Sequence, residues 1–245
     1  MRNLNAIDVL NVWEQGLNRP LLQRTLMLLA AAFPELSPDN IANLSIGTRD
    51  ACLLLLRERL FGSRLVNNAV CPQCAMRIEW EQNISDLVVN MSDSQIAHQF
   101  SLESDDYRLC FRLPNSIDLA EAEGCGNAES ALQYLLGRCI LSAEHAGAFC
   151  NIDQLPESVV QALNQRIEEL DLQAEVRINL TCPDCSHNWD MFFDIASFLW
   201  VEINEWAERM LQTVHKLARA YGWTEQEILN LSPVRRQLYL GMVGP

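Results

Sequence analysis

Two short cysteine pairs constrain the fold of this chain more than any other feature. Each is a Cys-Pro-x-Cys; Cys71 and Cys74 form the first, and Cys182 and Cys185 form the second. Each pair leads into a run with the alternation of a β-strand, followed by an apolar segment typical of a helix start. The pairs therefore predict a weak internal repeat: a metal-binding knuckle, a strand and the entry to a helix.

The spacing favours one zinc ion with four cysteine ligands, Cys71, Cys74, Cys182 and Cys185. Two thiolates three residues apart both reach one tetrahedral ion, at about 2.3 Å, when the backbone between them turns tightly, and proline presets such a turn. Four thiolates leave no open position, so the zinc is expected to be structural, one per chain. Because 107 residues separate Cys74 from Cys182, against a usual spacer of about 15–20, a large insertion splits the predicted zinc ribbon.

Other interpretations of the cysteine pairs stay open at this stage. The pairs also fit disulfides, a redox motif or ordinary half-buried thiols, although a redox Cys-x-x-Cys needs a βαβ setting and is not normally duplicated. His187 is a candidate replacement for one cysteine ligand, but a solvated loop histidine is the commoner case.

Charge and hydropathy narrow the classes of partner. The net charge is −14, from 18 basic and 32 acidic residues. Phosphate binding needs a concentrated basic surface, so no nucleic acid is expected. An acidic chain suits either a solvated surface or a basic protein partner. No apolar run approaches the roughly 18 residues that span a bilayer. No secretory signal is evident, and with nine cysteines this predicts a reducing cytoplasm rather than a disulfide framework.

Hydrophobic periodicity predicts an α+β fold that is mainly helical, with a split zinc-ribbon-like module between helical N- and C-terminal parts. Residues 1–66 form the N-terminal helical region, and residues 67–90 the first knuckle and its strand. Residues 91–175 form an α/β insertion, residues 176–197 the second knuckle and strand, and residues 198–245 a C-terminal helical region.

Capping and turn residues predict where several helices and strands begin or end. Thr48 is expected to cap a long leucine-rich helix. Residues 98–113 alternate as two strands around a turn at 104–106. Apolar residues from Leu199 to Tyr221 form the stripe of a helix of 23 residues, which Gly222 ends.

The aromatic residues of the C-terminal region have two interpretations. Trp206 lies in the long helix, Trp223 follows its end, and Tyr239 lies in the last helix. They either pack in the core or contribute to a surface that binds another protein. We retain Trp206, Trp223 and Tyr239 as candidate partner-binding residues.

Motifs of catalysis are missing from the sequence. It has no phosphate-binding glycine loop, no nucleophile elbow and no His-Glu-x-x-His, and no His-x-Glu precedes either cysteine pair as in zinc deaminases. Acids such as Glu168 and Glu169 are more typical of a solvated helix face than of a catalytic pair. A protein that is not an enzyme is therefore expected.

Several segments share one resemblance. They are residues 12–16 (Val-Trp-Glu-Gln-Gly), 112–114 (Arg-Leu-Pro), both cysteine pairs, 194–200, 214–225, 228–236 and 239–240. Together they resemble the T4-type phage baseplate hub assembly proteins, whose family also occurs in phage-tail-like contractile injection systems. The Tyr-Gly-Trp at 221–223, with the capping box after it, is the most specific of them.

The resemblance implies a non-enzymatic protein that acts during assembly of the baseplate in the bacterial cytoplasm. The first hypothesis is a chaperone or adaptor that binds another baseplate or tail protein. A permanent subunit of the baseplate is the alternative. A zinc-ribbon enzyme or nucleic-acid module is the third hypothesis, against which the acidic charge and the missing catalytic motifs weigh.

Overall fold

The computed structural model describes residues 1–89 and 99–243. The helices are α1 (Ala6–Gly16), α2 (Leu21–Ala32), α3 (Pro38–Ala42), α4 (Ile46–Phe61), α5 (Ser116–Ala122), α6 (Ala128–Cys139), α7 (Glu157–Leu170), α8 (Ile195–Tyr221), α9 (Glu225–Asn230) and α10 (Pro233–Met242). The strands are β1 (Arg64–Val70), β2 (Arg77–Asn83), β3 (Phe100–Ser104), β4 (Tyr107–Phe111), β5 (Ile140–His145), β6 (Ala148–Phe149), β7 (Arg177–Thr181) and β8 (Asn188–Phe192).

The chain forms two compact units. One combines Met1–Pro38 with Ile195–Pro245 and consists of helices α1, α2, α8, α9 and α10. The other, Asp39–Asp194, contains the remaining helices and all the strands named above. The predicted class, an α+β fold that is mainly helical, is confirmed. The five-segment division of the sequence stays a prediction.

The helical unit is organised around α8, which has 27 residues and contacts α1, α2, α9 and α10. Its apolar stripe is buried along most of its length, with Leu199, Ile203 and Leu217 fully inaccessible. The helix begins at Ile195, four residues before the predicted start, and ends where Gly222 adopts a φ of 70°. Glycine favours this left-handed conformation because it has no Cβ.

A close approach inside the helical unit explains one glycine of the N-terminal segment. A Cβ on Gly16 would lie 2.4 Å from the indole ring of Trp200, far inside van der Waals contact. The guanidinium of Arg24 covers the same ring, 4.8 Å from its centroid. Gly16 therefore lets α1 end directly against α8.

The Asp39–Asp194 unit contains three antiparallel sheets: β1–β2, β3–β4–β5–β6 and β7–β8. Helices α6 and α7 share a buried cluster with the four-stranded sheet, which includes Leu109, Phe111 and Leu163. The predicted hairpin at 98–113 is confirmed for β3 and β4, whose turn residues Asp105 and Asp106 both have positive φ. Its expected first residue, His98, lies outside the described residues.

A short 3-10 turn, Leu172–Ala174, closes the base of the insertion through buried polar contacts. The Gln173 side chain donates to the carbonyl of Leu87 at 3.1 Å and accepts the N–H of Val89 at 2.7 Å. Asp171, just before the turn, accepts the N–H of Gly47 at 3.0 Å. These bonds join segments about 85 and 124 residues apart without using a cysteine.

Two local predictions differ from the structure. The cap of α4 is Ser45 rather than Thr48, because the Ser45 hydroxyl accepts the N–H of Thr48 at 3.1 Å. Strand β1 begins at Arg64, before the first cysteine pair, so the predicted N-terminal helical region does not extend to residue 66. Its alternation is hidden by adjacent asparagines, poor strand formers, of which Asn67 faces inward and is buried.

Candidate metal centre and partner surface

Each cysteine pair lies in the turn of its own β-hairpin, the first between β1 and β2 and the second between β7 and β8. The two turns have the same geometry. The N–H of Cys71 donates to the Met76 carbonyl at 2.9 Å, and that of Cys182 donates to the His187 carbonyl at the same distance. The residue after each second cysteine has a φ near 60°. The sequence repeat therefore corresponds to two copies of one knuckle.

The two knuckles bring their four thiols together. Sγ of Cys71 lies 3.7 Å from Sγ of Cys185, and Sγ of Cys74 lies 3.5 Å from Sγ of Cys182. All four sulfur atoms lie within 4.8 Å of one another. Sulfurs bound to one tetrahedral zinc at about 2.3 Å lie about 3.8 Å apart. The donor set and its spacing therefore fit a closed Cys₄ metal site.

Burial and hydrogen bonding distinguish the thiols. Cys71 and Cys182 are each only 1% exposed, whereas Cys74 is open to solvent. Burial raises the pKa of Cys71, but hydrogen bonds from the N–H groups of Cys74 and Gln73 and from neighbouring thiols lower it to about 7. The N–H of Met76 lowers the pKa of Cys74, yet partial desolvation of its sulfur and the surrounding thiols raise that pKa to about 12. A metal ion that binds these cysteines displaces their thiol protons, because the thiolate is the form that ligates metal.

The structure allows the other interpretations of the cysteine pairs, namely disulfides, a redox motif and a histidine ligand, to be compared with the observed geometry. All nine are free thiols. The pairs lie in hairpin turns and not beside a βαβ unit, which a thioredoxin-like motif requires. His187 is outside the cluster of four sulfurs, and its ring stacks on Trp189 with centroids 5.9 Å apart.

The structure brings two of the three candidate partner-binding residues together. Trp223 and Tyr239 meet edge to face at 4.9 Å, and Tyr221 stacks on Trp223 at 4.6 Å. Trp206 is not in this aromatic cluster. It is half-buried on α8, where it packs against the core of the helical unit and lines a shallow groove of about 370 Å³ with Met210.

An exposed apolar row on α10 was not identified as a surface from the sequence. Val234, Leu238 and Met242 are 69%, 59% and 70% exposed. They recur every four residues, so they lie on one face of the helix. Their spacing is visible in the sequence, but the same pattern also describes a buried face. Only the packing of Tyr239 and Leu240 against the core shows which side of α10 is turned inward.

Comparison with models of known protein families assigns the chain to a family. A family model described as T4 bacteriophage base plate protein matches residues 25–200. The chain belongs to this family. The match includes both cysteine hairpins and residues 112–114 and 194–200, four of the segments that carry the resemblance. Residues 12–16 and the segments after residue 200 lie outside it.

Searches of curated proteins and of solved structures found no match to this baseplate protein. Within the described ranges, 1–89 and 99–243, none of its helices has both the length and the hydrophobicity to cross a membrane.

Proposed function

We propose that this baseplate-family chain is a non-enzymatic assembly factor, a chaperone or adaptor that binds another baseplate protein in the bacterial cytoplasm. The observation that carries the proposal is the exposed apolar row of α10, the helix whose Tyr239 also belongs to the aromatic cluster with Trp223. A row of exposed apolar side chains is typical of protein-binding sites. A surface of this kind is covered when a partner docks and is released when assembly proceeds.

In this proposal the aromatic residues and the apolar row form one binding surface, with Trp206 at the adjacent groove. Tyrosine and tryptophan are enriched where binding energy concentrates, because they bury a large area and lose little conformational entropy. The chain's net charge of −14 favours a basic partner, since complementary charge speeds association.

The proposal assigns one structural zinc ion to Cys71, Cys74, Cys182 and Cys185. A closed Cys₄ site supplies folding free energy and no catalysis. The four thiols would hold the two hairpins together and so close the insertion at its base.

Quantitative mass spectrometry tests the proposal by measuring the amount of this protein in purified phage or phage-tail-like particles and in the cell lysate that produced them. An assembly factor is expected to be abundant in the lysate and absent from particles. An integral ratio to known baseplate subunits would instead identify a permanent subunit. Such a result would overturn the assembly-factor proposal and leave the family assignment intact.

A further inference from the structure

A second apolar surface lies in the Asp39–Asp194 unit. It is a groove of about 500 Å³ between α6, α7 and the end of the second cysteine hairpin. Six of the apolar side chains along it come from α6, α7, the turn after α7 and β8: Leu132, Leu135, Leu136, Ile167, Leu172 and Phe192.

Three of these side chains remain open to solvent. Leu132 is 44% exposed, Leu172 54% and Phe192 55%. A single exposed apolar residue needs no explanation. Three large ones converging on one concave surface, above buried Leu136 and Ile167, are the arrangement expected of a site that another apolar surface covers.

The rim of the groove is acidic. Glu168, Asp171 and Glu175 line it, against the single base Arg177, which pairs with Glu175. Asp171 is buried, with its carboxylate bonded to the Gly47 N–H. Glu168 is exposed and accepts a hydrogen bond from Asn164 at 2.7 Å; within the described part of the chain it has no ion-pair partner. The base of the groove is therefore apolar, and the Glu168 carboxylate at its rim is available to pair with a basic group.

Resting on the proposed function, we propose that this groove binds an amphipathic helix of a baseplate protein, with Lys or Arg beside its apolar face. Two helices, α6 and α7, form the walls, as in grooves that take a third helix through apolar residues at i, i+3 or i+4, and i+7. Basic residues of the docked helix pair with Glu168 at the rim. The groove shares no residue with the apolar row on α10, so the proposal gives the chain two apolar surfaces for binding baseplate proteins.

Matched variants of the full-length chain isolate the groove. The double variant Leu132→Gln/Phe192→Gln removes apolar surface without adding charge. Its control, Leu141→Gln/Phe149→Gln, changes the same residue types at exposed positions outside the groove, Leu141 being 46% and Phe149 83% exposed.

A second pair of variants tests the charge of the rim. Glu168→Lys reverses the rim charge. Its control is Glu208→Lys on α8, because Glu208 accepts the same i,i+4 hydrogen bond, from Asn204 at 2.9 Å.

The experiment measures binding of each variant to the purified baseplate proteins of the same particle, taken one at a time. We expect Leu132→Gln/Phe192→Gln to weaken binding of one of them about tenfold or more. Glu168→Lys should weaken it about fivefold, with less effect at high salt. Both control variants should bind as the wild type does. A photo-crosslinker at position 132 should capture a helical segment rich in Lys or Arg from that protein.

Three results would overturn the groove proposal: groove variants that bind as the wild type does, a crosslink to a second copy of this chain, or a crosslink to an extended or acidic segment. In each case binding of a baseplate protein by the wild type would leave the proposed function standing. If the wild type binds none of the baseplate proteins, the proposed function fails together with the groove.

Discussion

The sulfur atoms of Cys74 and Cys182 lie 3.5 Å apart, although the two residues are 108 positions apart in the chain. The matching pair, Cys71 and Cys185, lies 3.7 Å apart, so each knuckle contributes one sulfur to each close contact. Because the two hairpins flank the insertion, an ion bound by all four thiols would tie together both ends of about 100 residues. Closing so long a loop is costly in the unfolded chain, and structural metal binding offsets that cost as folding free energy.

Replacement of one thiol is expected to remove both metal and stability. Cys182→Ser leaves three thiolates and an incomplete coordination sphere, so zinc content should fall from one per chain to well below one, and the melting temperature should drop by several degrees. Metal analysis of the dialysed protein and calorimetry measure the two quantities.

Cys139→Ser is the matched control. Cys139 is fully buried, but it packs among apolar side chains of the insertion and is not one of the four clustered cysteines. This variant should lose stability because it buries a hydroxyl, yet it should retain its zinc. Full zinc content in Cys182→Ser would contradict the shared site.

Features that depend on a local sequence pattern could be predicted from the sequence, whereas features that depend on long-range packing could not. The Cys-Pro-x-Cys spacing and the capping box at Thr224 can be recognised in the sequence because each depends on residues within one turn. The capping box is present at the start of α9. Strand β1 was missed because Asn67 and Asn68 hide its alternation.

Other features depend on distant segments and have no local signal. The bonds of Gln173 join residues more than 80 positions apart, and the outward face of α10 depends on which side of it meets the core. The groove between α6 and α7 likewise exists only once the insertion has folded. The sequence therefore predicts which four cysteines come together, but it places only part of the apolar surface.

Gln173 is expected to close the insertion independently of the metal. It is 2% exposed and serves two backbone groups, the Leu87 carbonyl and the Val89 N–H. Gln173→Leu would leave both without their partner in a buried position, at a cost of about 2–4 kcal/mol in the free energy of unfolding. Denaturant unfolding measures this cost, and zinc content should stay at the wild-type value. A variant that lost its zinc along with its stability would show that the two closures are not independent.

The contributions of Asp118 and Asp171 to the free energy of unfolding should change in opposite directions with pH. Burial raises the pKa of Asp118, but hydrogen bonds from Arg112 and the Asn115 N–H outweigh it and hold the pKa below its usual range. Burial raises the pKa of Asp171 above its usual range, because the bond from Gly47 compensates only in part. The unfolded reference is about 3.9 for both.

The signs follow from proton binding. For Asp118 the unfolded state binds the proton more tightly, so its stabilisation is complete above about pH 4 and is lost as the pH falls through the folded-state pKa. For Asp171 the folded state binds the proton more tightly, so its contribution declines as the pH rises above about 4. Asp118→Asn, which weakens the bonds to Arg112 at 2.6 and 2.8 Å, should cost about 3 kcal/mol at neutral pH.

Urea unfolding of the wild type, Asp118→Asn and Asp171→Asn across pH 3 to 7 measures these differences. The stability gap between wild type and Asp118→Asn should widen as the pH rises, and the gap for Asp171→Asn should narrow or reverse. Gaps that change in the same direction for both variants would contradict the two pKa assignments.

Leu238 provides the most direct test of the surface on α10. It is 59% exposed, so Leu238→Gln should change the free energy of unfolding by no more than about 0.5 kcal/mol. If a baseplate protein covers the apolar row, the same change should weaken that complex about tenfold. The reason is that Leu238 lies in the middle of the row and would be buried at the interface. Val201→Gln is the control, because Val201 is 57% exposed on α8 and is not part of the row. Equal affinity of the wild type, Leu238→Gln and Val201→Gln for every baseplate protein that binds would remove α10 from the docking surface, whereas equal losses in both variants would point to nonspecific apolar contact.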